Sequence, residues 1–312
     1  MSRRPPTILR VMNPMPNMNP VPPTFLDART LLEASQPRPR VWRFGYGLGL
    51  MAILLIGLML AGQNQQAVST LSTMGMGLIL GLIVITNNLA LRANRLEYAR
   101  LQSAEELLHL RHWPQAAMLL QAMLSRPFRS MGARFQALFY FTGALARYHR
   151  FDDVIAISDY LIESLPREEP AVHAVKLSRG MALLREDRLF DADRAIMDLR
   201  RSSQSAESGG LALLELYRDV KTGHAADAIK MFDKRRDAIR NQLGHRTADA
   251  HVLFAQASHM LGKHAEAAAA YEAATLLAPA IELHRRYPET LDLASAYPAA
   301  AAPDFDGREV RA

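Results

Sequence analysis

The sequence predicts an all-α protein: a two-helix transmembrane hairpin followed by an α-solenoid of about five helical hairpins. Three observations carry this. No Asp, Glu, Lys, Arg or His occurs between Arg43 and Arg92. After that interval, small residues recur with a period between 36 and 39. From about Glu97 to Pro279 the pattern is helical, with short breaks.

The chain has 312 residues, a formal net charge of +6, a calculated pI near 9.7 and no cysteine. Without cysteine there is no disulfide framework, cysteine zinc site or thiol nucleophile. The basic excess is concentrated before residue 43, and the stretch from 281 onward is acidic.

Residues 1–42 hold more than half of the 17 prolines. Such a segment buries too little apolar surface to offset the entropy of ordering it, so it reads as a disordered cytoplasmic arm. One piece stands out: Thr24-Phe-Leu-Asp27 ahead of RTLLEAS has the form of a weak capping box.

Residues 43–92 hold the hairpin, with spans at about 44–62 and 71–91 joined by the uncharged GQNQQAVST. One crossing needs roughly 20 apolar residues, so the interval accommodates two. In lipid every backbone polar group must be satisfied within the segment, which dictates helices. Arg43 precedes the first span, and Arg92 and Arg95 follow the second. Basic flanks stay cytoplasmic, placing both termini inside. The expected location is therefore integral to the cytoplasmic membrane of a bacterium, where the basic flanks also attract anionic lipid. Trp42 and Tyr46 fall where interfacial aromatics belong. Gly45, Gly49 and Gly57 on the first span, and Gly77 and Gly81 on the second, allow helices to approach closely, within the hairpin or in a homodimer.

Residues 93–284 read as stacked helical hairpins. The segments 151–166, 189–203, 223–238 and 262–279 each begin at a break and then place small or apolar residues three and four apart. Their equivalent anchors, with one more before them, are Ala116, Val154, Ala192, Ala228 and Ala267. No such unit buries its apolar face alone, so neighbours must stack. The remaining residues, 285–312, read as a capping segment with an Ala/Pro-rich tail.

The last unit, with Ala255, Gly262, Ala267, Tyr271, Ala274 and Pro279, resembles the tetratricopeptide repeat family. The third unit carries Gly180 and Ala192, the second ends in Pro166 after Phe151 and Val154, and the fourth has Gly223, Ala228 and Phe232. The first is the weakest match, with Ala104, Trp113 and Ala116, and Arg235 departs from the pattern in the fourth. The period slightly exceeds the family's usual length. The resemblance implies a concave surface lined by first helices that binds a protein or peptide segment. Its groove-facing positions fall on Phe139, Arg147, Leu177, Leu184, Arg185, Leu213, Tyr217, Val220 and Lys221. Arg147, Arg185 and Lys221 would form a basic ladder beside an apolar strip, suited to an acidic or C-terminal segment. Helix-end cations also favour the macrodipole without any ligand. The lysine and asparagine clamp of chaperone-tail-binding members is not matched, because Gly143, Met181 and Tyr217 stand at the asparagine positions.

No catalytic constellation, cofactor motif or nucleic-acid-binding stripe is present in the sequence. His109 and His112 form only an HxxH, and His259 and His264 do not share a helix face. The expected role is a membrane-anchored adaptor or scaffold that assembles or localises a membrane complex. The alternative is an accessory subunit of a transporter or channel, with an enzyme third.

Overall fold

The structure, a computed structural model, describes residues 24–37, 81, 84–85, 88, 91–92, 94–165, 170–201 and 208–298. Most of the expected transmembrane hairpin, including Trp42, Arg43, Tyr46, Gly45, Gly49, Gly57 and Gly77, lies outside them. Among the described residues, no helix is long and apolar enough to cross a membrane. Every described position from Gly81 to Arg92 is helical and exposed, among them Val84, Ile85 and Leu91. Asn88 donates to the Val84 carbonyl of its own helix at 3.0 Å.

The described chain is helical with no strands, as the periodicity predicts. We label the helices α1 (Ala28–Ala34), α2 (94–109), α3 (Trp113–Leu124), α4 (Met131–Arg147), α5 (Phe151–Ser164), α6 (Pro170–Arg185) and α7 (Leu189–Arg201). They continue as α8 (Gly209–Lys221), α9 (Ala225–Gln242), α10 (Thr247–Met260), α11 (His264–Leu277), α12 (Ala280–Arg286) and α13 (Leu291–Ala296). Five consecutive pairs, α2/α3 to α10/α11, follow one another as helical hairpins.

Each hairpin turns in the same way. Arg111, His149, Asp187, Gly223 and Gly262 all adopt positive φ, between 56° and 81°. Each lies five residues before a small-residue anchor, so the backbone repeats with the sequence period. The next residue's N–H reaches back five positions in every case: His112 to Leu107 O, Arg150 to Leu145 O, Arg188 to Leu183 O, His224 to Asp219 O and Lys263 to Ser258 O, at 2.8–3.1 Å. This is the long hydrogen bond of a Schellman motif, which satisfies a carbonyl at the helix end. Only two of the five positions are glycine, so the turn repeats even where its usual residue is missing.

The anchors do what their size implies. Ala116, Ala192, Ala228 and Ala267 are fully buried and Val154 nearly so. Within pairs α4/α5 through α10/α11 the two helices pack together, and α4, α6, α8 and α10 pack in succession. Leu145, Leu183, Leu214, Phe232 and Leu253 fill the continuous core. Close approach matters at Gly180, where an added Cβ would lie 2.7 Å from Leu214 Cδ2.

Two segments outside the hairpins dock onto them. The first is the piece of the N-terminal arm marked by the weak capping box at Thr24-Phe-Leu-Asp27. Residues 24–37 are ordered, with Asp27 capping α1 by accepting from the Arg29 N–H at 3.2 Å. Leu31 and Ala28 are buried against α3 and α5. The second is the chain after α11. It is longer than the tail expected from 285, because α12 already begins at Ala280.

Candidate functional site

Arg147, Arg185 and Lys221 each sit two residues before a left-handed turn residue, at the C-terminal end of α4, α6 and α8. The repeated turn therefore presents them at equivalent places in three successive hairpins. They are not simply solvated helix ends: the side chains of Arg147 and Lys221 are only 17% and 12% exposed.

What covers them is the chain's own segment 280–290. Arg147 Nη2 donates to Glu282 Oε1 at 2.9 Å. The Arg185 guanidinium lies between the rings of Phe151 and Tyr287, 5.2 and 5.4 Å from their centroids. Lys221 Nζ lies 3.2 Å from Glu289 Oε1 and 2.8 Å from Asp187 Oδ1. The Tyr217 hydroxyl donates to Glu289 at 3.1 Å, and its ring meets Tyr287 edge-on at 5.0 Å. Glu282, Tyr287 and Glu289 thus read the second, third and fourth hairpins in chain order.

The last hairpin holds the segment from the other side. Arg286 Nη1 pairs with Asp249 Oδ1 at 2.5 Å, and Asp249 also pairs with Arg246 at 3.3 Å. His284 bridges Tyr271 Oη at 2.9 Å and Thr290 Oγ1 at 3.0 Å. Tyr287 and Leu283 are fully buried.

Burial shapes the electrostatics. It lowers the Arg147 guanidinium pKa, with Arg285 adding to the effect and Glu282 opposing it. Burial alone would raise the Glu282 carboxyl, but Arg147, together with Arg286 and Arg111, outweighs it and holds the carboxyl below its ordinary value. Burial, then the Glu289 carboxylate, raises the Tyr217 phenol, keeping it a donor. Tyr287 is raised first by burial and then by Asp249.

The expected apolar strip needs correction. Leu184, Leu213 and Val220 belong to the hydrophobic core, so they hold the helices together and present no free face. Leu177 is half-buried, and its Cδ1 lies 2.6 Å from where a Cβ on Gly210 would stand. Phe139 is also half-buried, its ring tilted against Tyr140 at 6.3 Å. Tyr217 is nearly fully buried but keeps its hydroxyl on Glu289. Of the membrane-flanking positions, Arg92 is exposed on the helical stretch before α2, Arg95 is exposed in the first turn of α2, and Gly81 has open space around it.

Sequence reasoning missed Glu282, Tyr287 and Glu289. Their signal was present as an acidic and aromatic run, IELHRRYPE, directly after the last repeat. It also missed Trp113, whose ring carries the Arg147 guanidinium at 5.5 Å. His259 and His264, placed on different faces by their spacing, both bond the Tyr297 hydroxyl at 2.9 Å because the turn between α10 and α11 brings them together. Among the described residues, no group of His, Asp and Glu is placed to hold a metal ion.

Compared with known proteins, the chain matches no family model, no curated protein and no solved structure.

Proposed function

We propose that this protein is a membrane-anchored adaptor whose hairpins form a tetratricopeptide-like solenoid that holds a segment of a partner protein. The observation that carries this reading is the ladder itself. Arg147, Arg185 and Lys221 come from three successive hairpins, and all three engage one continuous segment. A surface built by repetition and filled by a linear stretch of chain has the physical character of a segment-binding groove.

The charge-free interval 44–91 supplies the anchor, with both termini in the cytoplasm. The exposed apolar side chains Val84, Ile85 and Leu91, on the helix that leads into α2, suit a lipid surrounding. Anchoring restricts the solenoid to a layer beside the bilayer and raises its effective concentration toward membrane-associated proteins. Assembly or localisation of a membrane complex is the role that follows.

The test is purification in mild detergent, comparing wild type with the double variant Arg147→Glu, Lys221→Glu. A partner that is recovered with wild type and lost with the variant, at unchanged helicity, supports the reading. Equal recovery of every co-purifying protein with both forms overturns it. A reporter fused after Ala312 that is active only in its external form overturns the topology.

A further inference from the structure

The segment already seated in the groove is a template for what else the groove accepts. Its recognition elements are few and spaced: Glu282 on Arg147, Tyr287 on Arg185 and Glu289 on Lys221. The order along the segment follows the order of the hairpins, so a linear peptide running in the same direction repeats the contacts without a change of fold.

The resident segment is held mainly by the burial of Leu283 and Tyr287, and its ladder ion pairs are its more accessible contacts. It joins α11 through Ala278 and Pro279, which are both extended, with ψ of 144° and 134°. Its other end is also docked, through the buried Leu293 and the Tyr297 hydroxyl on His259 and His264, so displacing it moves the chain up to Tyr297 with it. Its two ladder ion pairs involve Glu282 and Glu289 side chains that remain 29% and 26% exposed. Water reaches the carboxylate side of both pairs and screens them in part. The groove is not fully satisfied by it either: Arg185 Nε is buried with no hydrogen-bond partner.

We infer that the groove binds, from a partner protein, a short acidic segment in which two carboxylates flank an aromatic residue at the spacing Glu-x4-Tyr-x-Glu, and that this segment enters by displacing residues 280–290. The inference rests on the adaptor reading above and specifies its ligand. Tethering sets the terms of the competition. A segment joined by a short linker acts at an effective concentration of about millimolar, so a free peptide with the same contacts is excluded at micromolar levels until the resident one is weakened.

The experiment uses the full chain in detergent and a fluorescent peptide spanning residues 279–293, read by polarisation. Wild type is expected to bind it weakly. The variant Glu282→Gln, Glu289→Gln keeps the buried Tyr287 and should bind the same peptide about tenfold more tightly, because two ion pairs holding the resident segment are gone. Adding Arg147→Glu and Lys221→Glu should abolish that binding. A peptide with Lys in place of both glutamates should restore it, a rescue that a merely structural role for these residues would not give.

Loss of affinity should also follow when the peptide's tyrosine becomes alanine. Equal peptide affinity for wild type and the Gln variant, with both folded by circular dichroism, overturns the displacement. If a peptide library on the Gln variant selects ladder-dependent binders lacking the carboxylate and aromatic pattern, this inference fails and the adaptor reading stands. If no peptide binds the Gln variant in a ladder-dependent way, both fail.

Discussion

Arg134 Nε donates to Ser35 Oγ at 3.0 Å, joining two residues 99 positions apart on either side of the charge-free interval. Arg134 is fully buried. Its other partners are the Leu32 carbonyl, at 2.8 Å, and the Tyr160 hydroxyl, with the Tyr160 ring 4.7 Å from its guanidinium carbon. Among the described residues, no carboxylate pairs with this cation. The C-terminal end of α1 does, where unpaired carbonyls carry the negative end of the helix dipole.

The opposite end of α1 is also held. The Ala28 N–H donates to Asp153 Oδ1 at 3.2 Å, and Phe25 packs against Phe141 and Tyr148. Arg134→Met should therefore free α1 while filling similar volume, costing about 2 kcal/mol for the lost charged hydrogen bonds. Ser35→Ala should cost about 1 kcal/mol. Chemical denaturation reads the cost, and tryptic cleavage at Arg29 reads the release. Cleavage at the wild-type rate in the Met variant would show that α1 is held by other contacts.

The repeated turn makes a second prediction, with opposite signs at equivalent positions. A side chain in the left-handed region costs about 1–2 kcal/mol, and glycine escapes that cost while losing some entropy. Arg111 is exposed and has φ 59°. Arg111→Gly should raise stability by up to about 1 kcal/mol, whereas Gly262→Val, at φ 70°, should lower it by about 2 kcal/mol. Thermal melts of the two variants decide this. A fall in both would mean that the turns are not equivalent.

Glycines inside helices separate in the same physical way. A Cβ on Gly143 meets nothing within 4 Å, so Gly143→Ala should stabilise α4 by up to about 1 kcal/mol through helix propensity alone. A Cβ on Gly209 would lie 2.7 Å from the Ala238 carbonyl oxygen, which is backbone and cannot rotate away. Gly209→Ala should therefore destabilise by about 2 kcal/mol as α8 is forced off α9. Equal melting temperatures for the two alanine variants would refute the close approach.

The hairpins were legible in the sequence because their determinants are local. Ala116, Val154, Ala192, Ala228 and Ala267 mark each second helix by size alone, and all five are buried. The turns are fixed by chain geometry, so they repeat even at Arg111 and His149, where no glycine announces them. The ladder cations were legible from their register with those turns. What covers them was not. Glu282 reaches Arg147 across 135 positions, and no periodicity encodes a pairing between a repeat and a non-repeating segment. Likewise, α1 reads as part of a proline-rich arm because its stabilising partners, Arg134 and Asp153, lie beyond the charge-free interval.

The docked segment should respond to pH in two steps. His284 is buried with its two ring nitrogens on Tyr271 and Thr290, and burial lowers its pKa. The docked state thus favours the neutral ring. The stabilisation is fully present above the undocked value of about 6.5 and is lost as pH falls toward the lower docked value. Glu282 acts at lower pH. With its carboxyl held below the ordinary range by Arg147, its contribution is present above about 4.3 and is lost as pH falls through the depressed value. Amide exchange over residues 280–290, corrected for its intrinsic pH dependence, should show protection falling between pH 7 and 5.5 and falling again below the ordinary Glu value of about 4.3. His284→Gln, which keeps a donor and an acceptor without a titrating ring, should remove the upper step and leave the lower. Protection that stays flat from pH 7 to 5.5 in the wild-type chain would exclude His284 as the titrating latch.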